Sequence, residues 1–315
     1  MKHKCLYCYQ PLETSGDFHE KCAKQFFGTS KVPILTYFLN EMSELAKQVV
    51  ERSVAVPGVQ PKLSMSMIKE NAGSPENRLT VVGALGGNYI FKPPSDHFAE
   101  MPENEHVTMR IAEAFGIKVV ESSLIRLQSG ELSYITKRID RTITGEKIHM
   151  IDMFQIIEAF DKYKSSMEKV GKALQQHSEN TLLDLLSFFE LTLFSFITGN
   201  NDMHLKNFSM IRTRSGWALA PAYDLLNVRI VNPADQEELA LTLGGKKKKL
   251  TRAHFERFGE GLGLTPKQIQ GVFKRFKKNK DKAINWIVQS FLSEAMKEAY
   301  LEILNEHYNR LYDEN

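Results

Sequence analysis

A long apolar stretch that ends abruptly in a cluster of polar residues constrains this chain more than any other feature. Between Leu182 and Thr198, the residues Leu182, Leu185, Leu186, Phe189, Leu193, Phe196 and Ile197 recur at helical spacing, which predicts a core helix. The stretch contains Asp184 and Glu190 and falls short of a membrane span. Directly after it comes Gly199-Asn200-Asn201-Asp202-Met203-His204-Leu205-Lys206-Asn207-Phe208, with Pro221-Ala222-Tyr223-Asp224-Leu225 downstream. Gly199 and Asn200 are natural helix stops, so the pair alone could mark only a helix end and a turn.

The spacing says more. Asp202 and Asn207 are five residues apart, and Asp224 follows seventeen later. Asp-x-x-x-x-Asn followed by Asp is the order that protein-kinase-like folds use for phosphoryl transfer. The first Asp can accept the proton of an attacking hydroxyl. Asn207 and Asp224 are hard oxygen ligands suited to Mg²⁺. The cluster is expected to be a catalytic loop delivered by the C-terminus of the core helix.

Such an enzyme needs an upstream half that holds phosphates. Thr80–Val82 and Tyr89–Phe91 read as short strands joined by a turn containing Gly83, Gly86 and Gly87. Lys92 ends the second strand before Pro93-Pro94, which cannot continue a central ladder, and a lysine there can hold α- and β-phosphates. Glu103-Asn104-Glu105-His106 opens a helix ended near Gly116. Glu105 is the expected partner of Lys92, with Glu103 as competitor. Earlier, Gly58 allows close backbone approach, and N–H groups around it could cradle phosphates, although the same residues would also make a hairpin turn.

Six segments together resemble the HipA-like serine/threonine kinase toxins, most closely the short HipT form. They are Gly58-Val59-Gln60-Pro61-Lys62-Leu63, Phe91-Lys92-Pro93, Glu103-Asn104-Glu105, Lys137-Arg138-Ile139-Asp140-Arg141, the Gly199–Phe208 loop and Pro221-Ala222-Tyr223-Asp224. The resemblance implies an α+β, bilobed protein-kinase-like fold with a small β-rich N-lobe, a larger helical C-lobe, and ATP with Mg²⁺. By motif, Asp202 is the catalytic base, His204 and Lys206 are catalytic-loop residues, and Asn207 and Asp224 are the metal ligands. Lys92 and Glu105, with Gly58, Val59, Gln60 and Lys62, belong to the nucleotide site. Thr136–Ile139, including Lys137 and Ile139, corresponds to the hinge whose backbone holds adenine. The resemblance further implies a DNA-binding HipB-like antitoxin, contact with DNA only through it, and a target serine in an aminoacyl-tRNA synthetase.

Two departures stand out. Full-length HipA kinases carry an extra N-terminal subdomain of roughly a hundred residues, the scale of one small domain. Its absence before the Gly58 loop suggests a separate HipS-like subunit, as in three-gene systems. The inhibitory autophosphorylation serine of the family falls at Ala55 here, leaving Ser53 as the candidate.

All three cysteines lie in Cys5-Leu6-Tyr7-Cys8 and His19-Glu20-Lys21-Cys22. Cys-x-x-Cys followed by His-x-x-Cys offers four ligands for a closed tetrahedral Zn²⁺, and so short a segment has no core of its own. Free thiols that cluster incidentally are the plainer alternative. The expected organisation is a zinc-knuckle-like segment at 1–30, a small lobe at 31–140 and a helical lobe at 141–315. An amphipathic helix is expected over Pro33–Val50. Strands are expected at Ser122–Leu127 and Leu132–Lys137 around Gln128-Ser129-Gly130, and another at Trp217–Ala220. Pro266 follows Thr265 at a helix start, and Ser293 caps a final helix.

Composition excludes rather than selects. At 315 residues and 42% hydrophobic, the chain can bury a core large enough for two lobes. A formal charge of +3 is too small for nucleic acid to be the main ligand. The runs Lys246–Lys249 and Lys274–Lys280 are expected to be solvated faces. No signal-peptide pattern opens the chain, so a cytoplasmic protein is expected. A small-molecule kinase of the aminoglycoside or choline type, or a nucleotide-binding pseudokinase scaffold, are the alternatives.

Overall fold

The computed structural model describes residues 3–13, 15–52, 62–69, 77–82, 86–142 and 144–313. The chain divides into two compact units. The first comprises Met1–His106, Val120–Lys147 and Gln289–Phe291; the second comprises Val107–Val119, Ile148–Val288 and Leu292–Asn315.

The first unit contains α1 (Glu20–Phe27), α2 (Leu39–Arg52), β1 (Leu63–Lys69), β2 (Asn77–Val82), β3 (Tyr89–Lys92), the start of α3 (Met101–Ala114), β4 (Ser122–Arg126) and β5 (Leu132–Lys137). Its five strands form an antiparallel sheet in the order β2-β1-β3-β5-β4. The alternation Leu63, Ser64, Met65, Ser66 on β1 sends the apolar residues to one face. There Leu63, Met65, Leu79, Phe91 and Ile135 share one core with Tyr7, Phe26 and Phe27 of the N-terminal segment. That segment therefore buries its aromatic side chains in the core of the first unit.

Two local readings change. β2 and β3 are not paired, because β1 lies between them and bonds to both. Gly87, shortly before β3, packs against β1: at φ +80° its missing Cβ would sit 2.5 Å from the Met65 carbonyl oxygen. The second change is the start of α2, at Leu39 rather than Pro33. Ile34 instead forms a parallel bridge to Arg78, with bonds from Ile34 N to Asn77 O and from Leu79 N to Ile34 O. The edge of β2 supplies partners that a helix over Pro33–Phe38 would forgo. The β4–β5 hairpin turns at Gly130, φ +107°.

The second unit is mainly helical. It holds β6 (Met150–Asp152), α4 (Met153–Ile156), α5 (Met167–His177), α6 (Thr181–Ile197), β7 (Ser209–Thr213), β8 (Gly216–Leu219), α7 (Val228–Val231), α8 (Arg252–Gly261), α9 (Pro266–Lys278), α10 (Lys280–Gln289) and α11 (Glu294–Tyr312). The three strands form a small sheet in the order β6-β7-β8. α9 begins with a Thr265/Gln268 capping box and Pro266 in its first turn, and Ser293 caps α11.

α6 is the axis of this unit. Every residue from Phe188 to Ile197 is buried. Phe188 meets the edges of Phe208 and Phe258, Phe194 meets Phe115, and Phe196 stacks on His307. Leu182 and Leu183 at its start are exposed, so the apolar face begins one turn later than the spacing suggests. Asp184 accepts bonds from Ser178 Oγ and the Leu219 amide, and Glu190 pairs with Arg275 at 2.7 Å. Both acids that interrupt the apolar run are thus satisfied. Among the described residues, no helix is long and apolar enough to cross a membrane.

Replacing Phe188, which is fully buried between two rings, with alanine should destabilise the protein by about 3–5 kcal/mol. The shift in the denaturant midpoint at unchanged m-value measures this.

Candidate active site

Lys92 is the last residue of β3, held opposite Tyr134 in the β3–β5 ladder. Its Nζ lies 2.6 and 2.7 Å from the two carboxylate oxygens of Glu105, and 5.3 Å above the Tyr134 ring. Both charges are almost completely buried. Desolvating two ions costs so much that only close, bidentate geometry can offset it. Glu105 rather than Glu103 fills the partner position because residues two apart on a helix point about 200° apart. Burial instead pushes the Glu103 carboxyl up to about 7.

The end of β5 carries the segment that the family pattern assigns to the hinge. The Lys137 amide bonds to Glu121 O, while its Nζ meets Glu121 Oε2 at 2.6 Å and Gln25 O at 3.2 Å. The Lys137 side chain is therefore turned to the N-terminal segment. Ile139 is half-buried. Arg138, within the Lys137–Arg141 segment, binds Ser64 Oγ and Gly86 O at 3.0 Å each and pairs with Asp140. It ties this segment to β1 and to the glycine turn. Lys62 is exposed next to β1. Gly58, Val59, Gln60 and Ser53 lie outside the described residues.

In the second unit the polar loop starts where α6 stops. Gly199 takes φ +68°, and a Cβ there would come within 2.8 Å of Asn227 Oδ1, so glycine is needed both for the turn and for the close approach. The Asp202 amide donates to Asn200 Oδ1 at 3.3 Å. Tyr163 donates its hydroxyl to Asp202 Oδ1 at 2.7 Å; a tyrosine thirty-nine positions upstream carries no local signal that would find it. Leu205–Asn207 form a 3₁₀ turn, and Asn207 Nδ2 donates to the Asp202 carbonyl at 2.9 Å. That bond uses a donor of the amide and leaves Oδ1 as its acceptor atom.

The hairpin sets the remaining geometry. Asn207 precedes β7 and Asp224 follows β8, and Ser209 O accepts from the Ala220 amide, so both residues emerge at the same end of the pair. Tyr223 locks this end, with its hydroxyl 2.6 Å from Ser209 Oγ and 3.0 Å from Lys206 O. Asp224 itself has φ +55°, a left-handed conformation that is uncommon for a residue with a side chain. Strain of that kind is concentrated at functional sites. The donor set of one amide oxygen and one carboxylate fits a hard divalent cation such as Mg²⁺.

His204 is buried and its ring meets Tyr163 edge-on at 5.1 Å. Burial holds its pKa below the usual histidine value against the pull of Asp202, which keeps the imidazole neutral. Burial and the Asp202 carboxylate push the Tyr163 hydroxyl well above the usual phenol range, so it stays a donor. Among the described residues, Asn200 Nδ2, Asn201 Oδ1 and His204 Nδ1 are buried without a hydrogen-bond partner. Orphaned polar atoms are uncommon in native cores, and three of them fall in this one loop. Lys206 is exposed, its Nζ 4.9 Å above the Phe154 ring.

Other features lie apart from this loop. A hollow of about 880 Å³ in the second unit is lined by Arg252, Lys274, Lys277 and Arg310, among others, and touches none of the loop residues. In the first basic run Lys247 pairs with Glu237 at 3.0 Å. In the N-terminal segment Cys5, Cys8, His19 and Cys22 converge, their ligand atoms all within 4.8 Å of one another.

Known proteins share this sequence pattern and this fold. The family model of the HipA-like C-terminal domain matches residues 54–284. A Haemophilus influenzae protein named "Putative kinase" is 27% identical over 272 residues, covering 77% of each chain. The serine/threonine-protein kinase toxin HipA of Shewanella oneidensis is 25% identical over 233 residues, 67% of this chain and 52% of its own length. The chain thus spans about half of that relative. Among solved structures, a chain from the complex of Shewanella oneidensis HipA, HipB and operator DNA matches with a TM-score of 0.67 at 22% identity. The match covers 84% of this chain and 70% of that one.

Two outcomes test the electrostatics. Lys92→Met should cost about 3–5 kcal/mol by stripping Glu105 of its buried cation, and the double variant Lys92→Met/Glu105→Leu should recover most of it in chemical denaturation. Glu103 holds a proton in the folded state between its ordinary value of 4.5 and about 7, where the unfolded chain has released it. Stability therefore falls as pH rises through that window. Glu103→Gln should flatten the fall, so that its melting temperature relative to wild type climbs between about pH 5 and about pH 8.

Proposed function

Because the chain belongs to the family of the HipA-like C-terminal domain, we propose that it is an ATP- and Mg²⁺-dependent serine/threonine protein kinase acting as the toxin of a HipBA- or HipBST-like toxin–antitoxin system. The observation that carries this reading is the locked Asp202–Asn207 loop with Asp224 emerging at the same end of the β7–β8 hairpin.

In this reading Asp202, oriented by the Tyr163 hydroxyl, accepts the proton of the attacking serine hydroxyl. The serine oxygen bonds to the γ-phosphorus as the bond to the β-phosphate bridging oxygen breaks, and ADP carries away the electron pair. Mg²⁺, when bound by Asn207 and Asp224, would supply charge neutralisation at the phosphates. Lys92 adds a fixed cation for the α- and β-phosphates, and Glu105 keeps its ammonium group in place. Neutral His204 offers a polar contact without adding positive charge, and exposed Lys206, next to Asn207 in the chain, supplies a cation. Gly58, Val59, Gln60 and Lys62 would cover the phosphates, and the Lys137–Ile139 backbone would hold adenine. Positioning and electrostatics account for the acceleration.

The substrate is proposed to be a serine of an aminoacyl-tRNA synthetase, whose modification would stall translation. The Shewanella oneidensis HipA structure contains HipB and operator DNA, which supports a DNA-binding antitoxin as partner here, with a HipS-like subunit as a further one. Ser53 is the proposed site of self-phosphorylation.

Incubating a bacterial lysate with the purified chain and Mg-ATP should produce one dominant phosphoserine on a synthetase. Asp202→Ala should reduce its formation by about 10²–10⁴-fold, the usual contribution of a general base. Asp224→Ala should also weaken Mg²⁺-dependent nucleotide binding, read by calorimetry. Identical phosphopeptides from wild type and Asp202→Ala would refute the protein-kinase assignment and point to a small-molecule acceptor. Nucleotide binding without any transfer would make the chain a scaffold.

A further inference from the structure

Three thiols and an imidazole that phosphoryl transfer does not use meet near the N-terminus. Cys5 and Cys8 sit on a tight turn in which the Tyr9 amide donates to Cys5 O at 2.9 Å and Tyr9 adopts φ +62°. An antiparallel bridge between Lys4 and Pro11 closes the base of this turn. His19 is the N-cap of α1 and Cys22 lies in its first turn, so their three-residue spacing puts them on one helix face. Cys5 and Cys22 are buried, and none of the three cysteines is in a disulfide.

The distances suit one ion. All four ligand atoms lie within 4.8 Å of one another, with His19 Nδ1 3.4 Å from Cys8 Sγ and 3.8 Å from Cys22 Sγ. A tetrahedron with bonds of about 2.3 Å has edges of about 3.8 Å. The second nitrogen of the imidazole decides the tautomer. His19 Nε2 lies 3.0 Å from the Pro11 carbonyl oxygen. Only a proton on Nε2 makes that contact favourable, and it leaves the Nδ1 lone pair facing the thiols. A metal-ligating histidine is typically oriented by such a bond to a backbone carbonyl. Although His19 stands at the N-cap, its side chain makes no capping bond, so helix capping does not explain its position.

We propose that Cys5, Cys8, His19 and Cys22 bind one Zn²⁺ as a closed, four-ligand structural site. On binding, the thiols release their protons to solvent and the metal completes a Cys₃His tetrahedron with no open position, which gives it no part in catalysis. Three thiolates with one imidazole favour Zn²⁺ over the harder cations. A redox Cys-x-x-Cys pair would leave both His19 and Cys22 without a role.

The site joins a turn and a helix that brace the first unit. Tyr9, next to the ligand Cys8, bonds through its hydroxyl to His106 at 2.8 Å, and His106 directly follows Glu105 in α3. Asp17, between the two ligand pairs, binds Arg126 of β4 at 3.1 Å. Near the end of α1, Gln25 O accepts from Lys137 of β5. Loss of the metal should loosen contacts to α3, β4 and β5 together.

Metal content and stability report on this site independently of kinase activity. The purified full chain should contain one equivalent of zinc by mass spectrometry. The Co²⁺-substituted chain should show the intense visible absorption of a tetrahedral thiolate site. A strong chelator should lower the melting temperature, and Zn²⁺ but not Mg²⁺ should restore it. Cys22→Ser should lose the Co²⁺ spectrum, and if that variant fails to fold, the wild-type chelation and reconstitution series still decides. A chain that retains no zinc, gives no thiolate–Co²⁺ absorption and melts unchanged in chelator would overturn the proposal, as would iron in place of zinc.

Discussion

A helix buried on every side over its last turns must hand its final carbonyls to partners other than water, and α6, buried from Phe188 to Ile197, shows how much follows from that requirement. The hydroxyls of Thr192, Ser195 and Thr198 bond back to carbonyls one turn earlier. Beyond them, Asn200 N reaches the Ser195 carbonyl and Gly199 O accepts from Val228 N. His307 donates to the Phe196 carbonyl, with burial and nearby arginines holding its pKa down to about 4 against the pull of Glu306, so it serves as a neutral donor. Just past the helix end, left-handed Gly199 fits closely against Asn227. The loop that begins there inherits a fixed origin. Asp202, His204 and Asn207 take their places from that constraint before any ligand is considered.

Buried charge is managed by the same accounting. Lys92 and Glu105 are out of water, and their close bidentate contact offsets part of the desolvation cost. A hydrophobic pair of similar volume would be nearly as stable there. Retaining the ions therefore fits a role in which the ammonium group must be fixed and dry. Glu103, two residues away, shows the other outcome: without such a cation its carboxyl keeps a proton up to about 7. The N-terminal segment solves its shortage of core differently. It lends its aromatic side chains to the sheet of the first unit and gathers its four soft and borderline ligands at one point.

Much of this was legible from residue order. Helix α6 follows its apolar period, the β4–β5 hairpin follows its Gln-Ser-Gly turn, and α9 begins at Thr265 with Pro266 behind it. Local chemistry decides each of these, so local sequence suffices. Where the reading slipped, a distant partner intervened. Ile34 pairs with β2 rather than starting a helix, and β1 separates two strands that are adjacent in sequence order. Leu182 belongs to the apolar period yet stands in solvent, because periodicity describes a face but not how far its partner extends. The partners of Tyr163 and Arg138 were hidden for the same reason: nothing near them in the chain signals Asp202 or the Gly86 carbonyl.

The amino-acid sequence by itself determined the residue types of the site and their spacing. The Asp202–Asn207–Asp224 series, Lys92 at a strand end and the Cys5–Cys22 ligand set are properties of the chain as written. Tertiary structure decided which groups meet. It chose Glu105 over Glu103, turned the Lys137 side chain toward Gln25, and set Tyr163 against Asp202. It also brought two ligand pairs, separated by ten intervening residues in the chain, to a single point. Spacing along a chain constrains only neighbours within a turn or two, whereas contacts between elements depend on which faces are buried together. That is settled by packing the whole unit.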